Sequence, residues 1–126
     1  NAEYLNIEGS RFENVQGALV DYYRGGRDES TFGPHFNLSN STLVNIGNGQ
    51  RNKSKSSIHL HGVQVTSMSE NSFRNSQPFL INHTVGEPKT NIFKNQFVNT
   101  EGPKVVELNS PFQNTAIISE NEGLNP

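Results

Sequence analysis

The chain has no cysteine, no tryptophan, one methionine and no apolar run long enough to span a bilayer. Without cysteine there are no disulfides and no thiolate metal sites, and without a long apolar run there is no helical membrane span. Hydrophobic residues make up 31% of the 126 positions and mean hydropathy is -0.67, close to the values of chains too polar to bury a core. Helical periodicity is also scarce, since no stretch keeps apolar residues at i, i+3, i+4 and i+7 beyond a turn. Charge of one sign is missing too. Ten Lys and Arg against twelve Asp and Glu give a net charge of -2, so there is no electrostatic case for a nucleic-acid partner.

What the chain has instead is a phrase that returns. It reads SRFEN around Phe12, STLVN around Leu43, NSFRN around Phe73 and NQFVN around Phe97, each time with an asparagine two positions later: Asn14, Asn45, Asn75 and Asn99. Intervals of 31, 30 and 24 residues fall in the period range of a solenoid, in which each unit buries its apolar face against its neighbours. Eleven glycines and eighteen asparagines supply the turns and left-handed backbone positions that several corners per coil require.

Between the turns lie short alternating segments that read as strands: Leu5 to Ile7, Phe36 to Leu38, Ile58 to Leu60, Val63 to Val65, Phe79 to Ile81, Val106 to Leu108 and Ala116 to Ile118. Residues i and i+2 share a face of a strand. Ile58 with Leu60, and Val63 with Val65, are therefore expected inside, with His59 and Gln64 outside and Gly62 at the corner between. Stacked coils put Phe12, Leu43, Phe73 and Phe97 in one inward ladder. The asparagines that follow them form a second ladder or simply serve turns with positive φ. A further set (Asn40, Asn71, Asn95, Asn121) is expected at an earlier corner.

Two segments exceed a minimal coil, Tyr22 to His35 (YYRGGRDESTFGPH) and Gly47 to Ser57 (GNGQRNKSKSS); His83 to Thr90 departs more mildly. Excursions of this kind leave a solenoid on one face and often carry its ligand site.

The phrase YRGGRDESTFGP (Tyr23 to Pro34), with SIHLHGVQ (Ser57 to Gln64) and HTVGEPKT (His83 to Thr90), resembles the alginate lyase and chondroitinase B family of polysaccharide lyases, polysaccharide lyase family 6. The resemblance spans roughly Leu5 to Leu108 and is closest to the C-terminal part of the longer members' β-helix. It implies a right-handed parallel β-helix from an enzyme that cleaves acidic polysaccharide by β-elimination. In that family a lysine is the base, an arginine serves the leaving oxygen, and calcium held by Asn and Glu neutralises the uronate carboxylate. No stretch matches those catalytic and calcium-binding segments, so no catalytic residue and no metal ligand is assigned here. Calcium is left to the parent enzyme. The rest of the parent solenoid, or a second subunit, is the expected protein partner, and a secreted or periplasmic bacterial location is expected. The strand-like alternation that begins at Leu5 reads as a piece of a longer polypeptide.

Candidate substrate-binding residues are Tyr23, Arg24, Arg27, His35, His59 and His61. Arg24 and Arg27 suit bidentate pairing with uronate carboxylates; equally, they pair with Asp28 and Glu29 to hold a long loop. Of Tyr22 and Tyr23, adjacent in a strand, one faces inward. His59 and His61 share an outward face, and an H-x-H pair without further ligands reads as surface or substrate contact and not as a zinc site. Asp28, Glu29, Asn14, Asn45, Asn75 and Asn99 are read as structural. The expected architecture is a single segment, residues 1–126, all-β, of about four to five coils with long loops gathered on one side. Two functions fit it: part of a uronate lyase serving as scaffold, domain or dimer contact and outer substrate subsite, or a non-catalytic β-helix that binds acidic carbohydrate. A hydrolase on this fold needs paired carboxylates, and the adjacent Asp28 and Glu29 point to opposite faces when extended.

Overall fold

A computed structural model describes residues 4–23, 34–84, 86–108 and 116–123. The described residues contain thirteen strands and no helix. Coil one consists of β1 (Tyr4–Glu8), β2 (Arg11–Val15) and β3 (Val20–Tyr22). Coil two has β4 (His35–Ser39), β5 (Thr42–Ile46) and β6 (Ile58–His61), and coil three β7 (Val65–Ser69), β8 (Ser72–Arg74) and β9 (Phe79–His83). In coil four come β10 (Lys89–Phe93), β11 (Gln96–Val98) and β12 (Lys104–Glu107), and β13 (Ala116–Ser119) begins a fifth. Every pairing is parallel and joins a strand to its equivalent one coil away. This makes three sheets, A (β1-β4-β7-β10-β13), B (β2-β5-β8-β11) and C (β3-β6-β9-β12). The fold is a right-handed parallel β-helix, the hand that parallel crossovers favour.

The repeated phrase superimposes as its spacing requires: Phe12 pairs with Leu43, Leu43 with Phe73 and Phe73 with Phe97. Within this inward ladder Phe73 stacks on Phe97 at 5.1 Å and meets Phe79 of sheet C edge-on at 4.6 Å. Phe36, Leu38, Leu43, Ile58, Leu60, Met68, Ile81 and Ile92 complete the middle of the core, all of them fully buried. Leu5, Ile7, Phe12 and Val15 of the first coil pack against it but are only partly covered, having a coil on one side alone among the described residues.

Corners decide how tightly the coil turns. From sheet A to sheet B the chain turns in two residues, the first left-handed: Gly9, Asn40, Glu70, Lys94 and Glu120 have φ between 50 and 61°. The second is Ser10, Ser41, Asn71, Asn95 or Asn121, and its side chain replaces the hydrogen bonds that the corner breaks. Asn71 Oδ1 accepts from Ser41 N at 2.9 Å, and Asn71 Nδ2 donates to Leu38 O at 2.9 Å and to Asn95 Oδ1 at 3.0 Å. Asn95 makes the same bonds to Asn121 Oδ1 and Met68 O. In the first coils serine does the work, with Ser10 N donating to Ser41 Oγ. The earlier-corner ladder therefore runs through Ser41, Asn71, Asn95 and Asn121. Asn40 is not a rung; it occupies the left-handed position just before.

At the end of sheet B both readings of the repeated asparagines hold at once. Asn14, Asn45, Asn75 and Asn99 all have positive φ, from 46 to 58°. Their exposed side chains also bond between coils, Asn45 Nδ2 to Asn14 Oδ1 and Asn99 Nδ2 to Asn75 Oδ1, each at 2.9 Å. Between Asn45 and Asn75 the ladder is bridged by Asn48, whose Nδ2 donates to Asn45 Oδ1 and to Asn75 O.

Three local expectations are corrected. Val63 and Gln64 form a corner before β7, so Val63 is 2% and Gln64 8% exposed, while Val65 starts the strand on its outer face at 38%. Thr66 and Met68 take the inward places. In β12 the inward residue is Val105, leaving Val106 and Leu108 exposed. Nor do the long excursions share one corner: Gly47 to Ser57 links sheet B to sheet C, whereas Tyr22 to His35 spans the connection from β3 to β4.

Candidate substrate-binding face

The outer face of sheet C is set by alternation: in β3, β6, β9 and β12, Val20, Tyr22, Ile58, Leu60, Phe79, Ile81 and Val105 point inward. What is left points out in register. One column runs Asp21, His59, Leu80, Lys104, and the next runs His61, Asn82, Val106. Tyr23 follows β3 directly and is 63% exposed.

Two imidazoles are oriented on this face. His59 Nδ1 donates to Asp21 Oδ1 at 2.8 Å across the β3–β6 pairing. That bond turns Nε2 of His59 away from the carboxylate. Asn82 Nδ2 donates to Nδ1 of His61 at 3.1 Å, so the neutral His61 ring carries its proton on Nε2. The ring centroids are 6.4 Å apart. A carboxylate-backed imidazole beside a second imidazole can hold a hydroxylated ligand and exchange a proton with it.

The candidate residues do not all converge. Tyr23, His59 and His61 share the sheet C face. His35 instead opens β4 on the outer face of sheet A, where its ring meets Tyr4 edge-on at 4.8 Å. Arg24, Arg27, Asp28 and Glu29 lie outside the described residues. Tyr22 faces inward, its hydroxyl buried without a partner among the described residues, and burial holds its phenol above the ordinary value.

His83, unlike His59 and His61, is part of the interior. It is 1% exposed, with Nδ1 donating to Glu107 Oε1 at 2.7 Å and Nε2 paired with Thr90 Oγ1 at 2.8 Å. The signal was in the sequence: His83 continues the inward alternation of Phe79 and Ile81. Asp21 was missed because its role depends on a partner 38 residues away. Among the described residues no group of three or more His, Asp and Glu stands close enough to hold a metal ion.

No protein-family model and no curated protein matches the sequence. The structure is similar to the solved structures of PL6 family alginate lyase AlyGC and of an arginine-to-alanine mutant of that enzyme. Each has a TM-score of 0.92 and 46% identity over 99% of this chain. The chain spans 17% of the length of those structures. With nearly half its residues identical across almost its whole length and the coils superimposed, the chain belongs to the PL6 family of polysaccharide lyases.

Proposed function

We propose that this chain is part of an enzyme that cleaves alginate or a related uronate polymer by β-elimination, in an extracellular or periplasmic setting. In this reading it supplies coils toward the C-terminal part of the parent β-helix, a contact for a neighbouring domain or second subunit, and an outer substrate subsite. The observation that carries the subsite is the Asp21–His59 pair beside His61 and Asn82, at the edge from which the Tyr23-to-Pro34 phrase departs. Sugar hydroxyls donate to Nε2 of His59 and match Asn82 and Asp21. Exposed Tyr23 offers a ring face to a pyranose. Arg24 and Arg27 are proposed as further carboxylate partners.

The reading assigns elimination chemistry to parent residues beyond this set. The purified chain alone is therefore expected to bind an oligouronate without generating the ultraviolet absorbance of unsaturated uronate ends. His59→Ala with His61→Ala weakens that binding. Product formation by the chain alone would refute the division of labour, and unchanged affinity in the double variant would refute the subsite.

A further inference from the structure

The Gly47-to-Ser57 excursion is not used by the sheet C face, yet it is held as firmly as the coils. Asn52, 8% exposed, donates from Nδ2 to Gly47 O at 2.7 Å and to Ser56 O at 2.8 Å. A side chain at Gly47 would strike Ser56 O, and one at Gly49 would strike Gln16. Lys55 is kept left-handed at φ 55°, a conformation that costs a non-glycine residue about 1 kcal/mol and survives only where its surroundings impose it. The result is a stiff loop carrying exposed Arg51, Lys53 and Lys55 beside the exposed asparagine row.

Row and loop border two open hollows that adjoin along the B–C corner. One, of about 560 Å³, is lined by Asn14, Asn45, Asn48 and Arg51. The other, of about 790 Å³, is lined by Asn45, Asn48, Lys55, Asn75, Asn99 and Lys104. Asn45 and Asn48 are common to both. The lining is carboxamides and cations with one carboxylate, Glu101, 3.6 Å from Lys104. Among the described residues, Asn14 Nδ2, Asn99 Oδ1 and the side chains of Arg51 and Lys55 have no protein partner.

We infer that this groove is a second glycan-binding site, separate from the Asp21–His59–His61–Asn82 cluster and meeting sheet C only at Lys104, which takes an acidic polysaccharide chain lying along the solenoid axis. Carboxamides repeating at the coil spacing of about 4.8 Å offer donors and acceptors to successive sugar hydroxyls. Arg51, Lys55 and Lys104 along its margins answer carboxylates. Because the loop is already rigid, little side-chain and loop freedom remains to be lost on binding. That the bound acid sugar is the uronate polymer of the proposed function rests on that reading; the acidic class rests on the groove itself.

The test is NMR titration of the whole chain with an oligouronate of defined length and, separately, with a neutral oligosaccharide of the same length. The side-chain amide resonances of Asn45, Asn75 and Asn99 should shift with the first and not with the second. Arg51→Ser with Lys55→Gly should raise the dissociation constant read from those resonances about fivefold. Glycine accepts the left-handed backbone at position 55, so this variant keeps the loop. His59→Ala with His61→Ala should leave the asparagine shifts intact. If the His59 and His61 ring signals move while the asparagine amides stay still, the groove is refuted and the proposed subsite stands. If neither set moves, both fail. Equal shifts with the neutral sugar would refute the acidic ligand class.

Discussion

Replacing Asn71 by alanine should be among the most damaging single changes in this solenoid, and the size of the effect follows from its bonds. Its carboxamide, 3% exposed, satisfies Ser41 N, Leu38 O and Asn95 Oδ1 at 2.9, 2.9 and 3.0 Å. Alanine leaves Ser41 N–H with no acceptor inside the corner, worth about 1–3 kcal/mol, and removes two further bonds of roughly 1 kcal/mol each. The expected loss is about 3–5 kcal/mol. At a urea slope of about 2 kcal/mol per molar, the midpoint falls by about 2 M. The control is Asn75→Ala, which also removes one rung, but an exposed one where water takes over. Its loss should be near 1 kcal/mol and come mainly from alanine in a left-handed backbone, so Asn75→Gly should restore most of it. Asn71→Asp adds a signature, because it turns a carboxylate toward Leu38 O and Asn95 Oδ1. The folded state then favours the protonated acid and raises its pKa, so this variant is most stable in acid and weakens as pH rises through the carboxyl range. Urea melts of the four proteins decide the matter. Equal midpoint shifts for Asn71→Ala and Asn75→Ala would refute the claim that burial of the ladder sets its worth.

Phe73, fully buried between Phe79 and Phe97, should cost about 3–5 kcal/mol when cut to alanine, read as a lowered thermal midpoint. For Tyr22 the buried, unpartnered hydroxyl makes Tyr22→Phe neutral or stabilising by up to about 1 kcal/mol in the same melt. The raised phenol pKa also fixes a sign: stability is intact below about pH 10, the unfolded value, and falls as pH climbs past it, a fall that Tyr22→Phe should reduce. At Lys94, left-handed with φ 57°, glycine should raise stability by about 0.5 kcal/mol, since relief of backbone strain exceeds glycine's extra chain entropy. A lower urea midpoint for Lys94→Gly would contradict that balance.

The repeated Phe/Leu-x-Asn phrase determined the coil by itself. A large apolar residue recurring at 24 to 31 residues in a chain that is only 31% hydrophobic has no other way to leave water than to stack on its own copies. Period-two alternation likewise determined which of Ile58, His59, Leu60 and His61 face in, because a strand allows only two directions. His83 was legible by the same rule, as the third inward step after Phe79 and Ile81. Tertiary structure decided what depends on partners far along the chain. That Asn71 bonds across the corner while Asn40 only turns it, that Val65 faces out, and that Asp21 stands behind His59 are matters of register, and local sequence does not encode which coil lies above another. The Gly47-to-Ser57 loop shows the same division. Its composition marked it as an excursion, but only its packing against Gln16 and the asparagine row made it the wall of a groove.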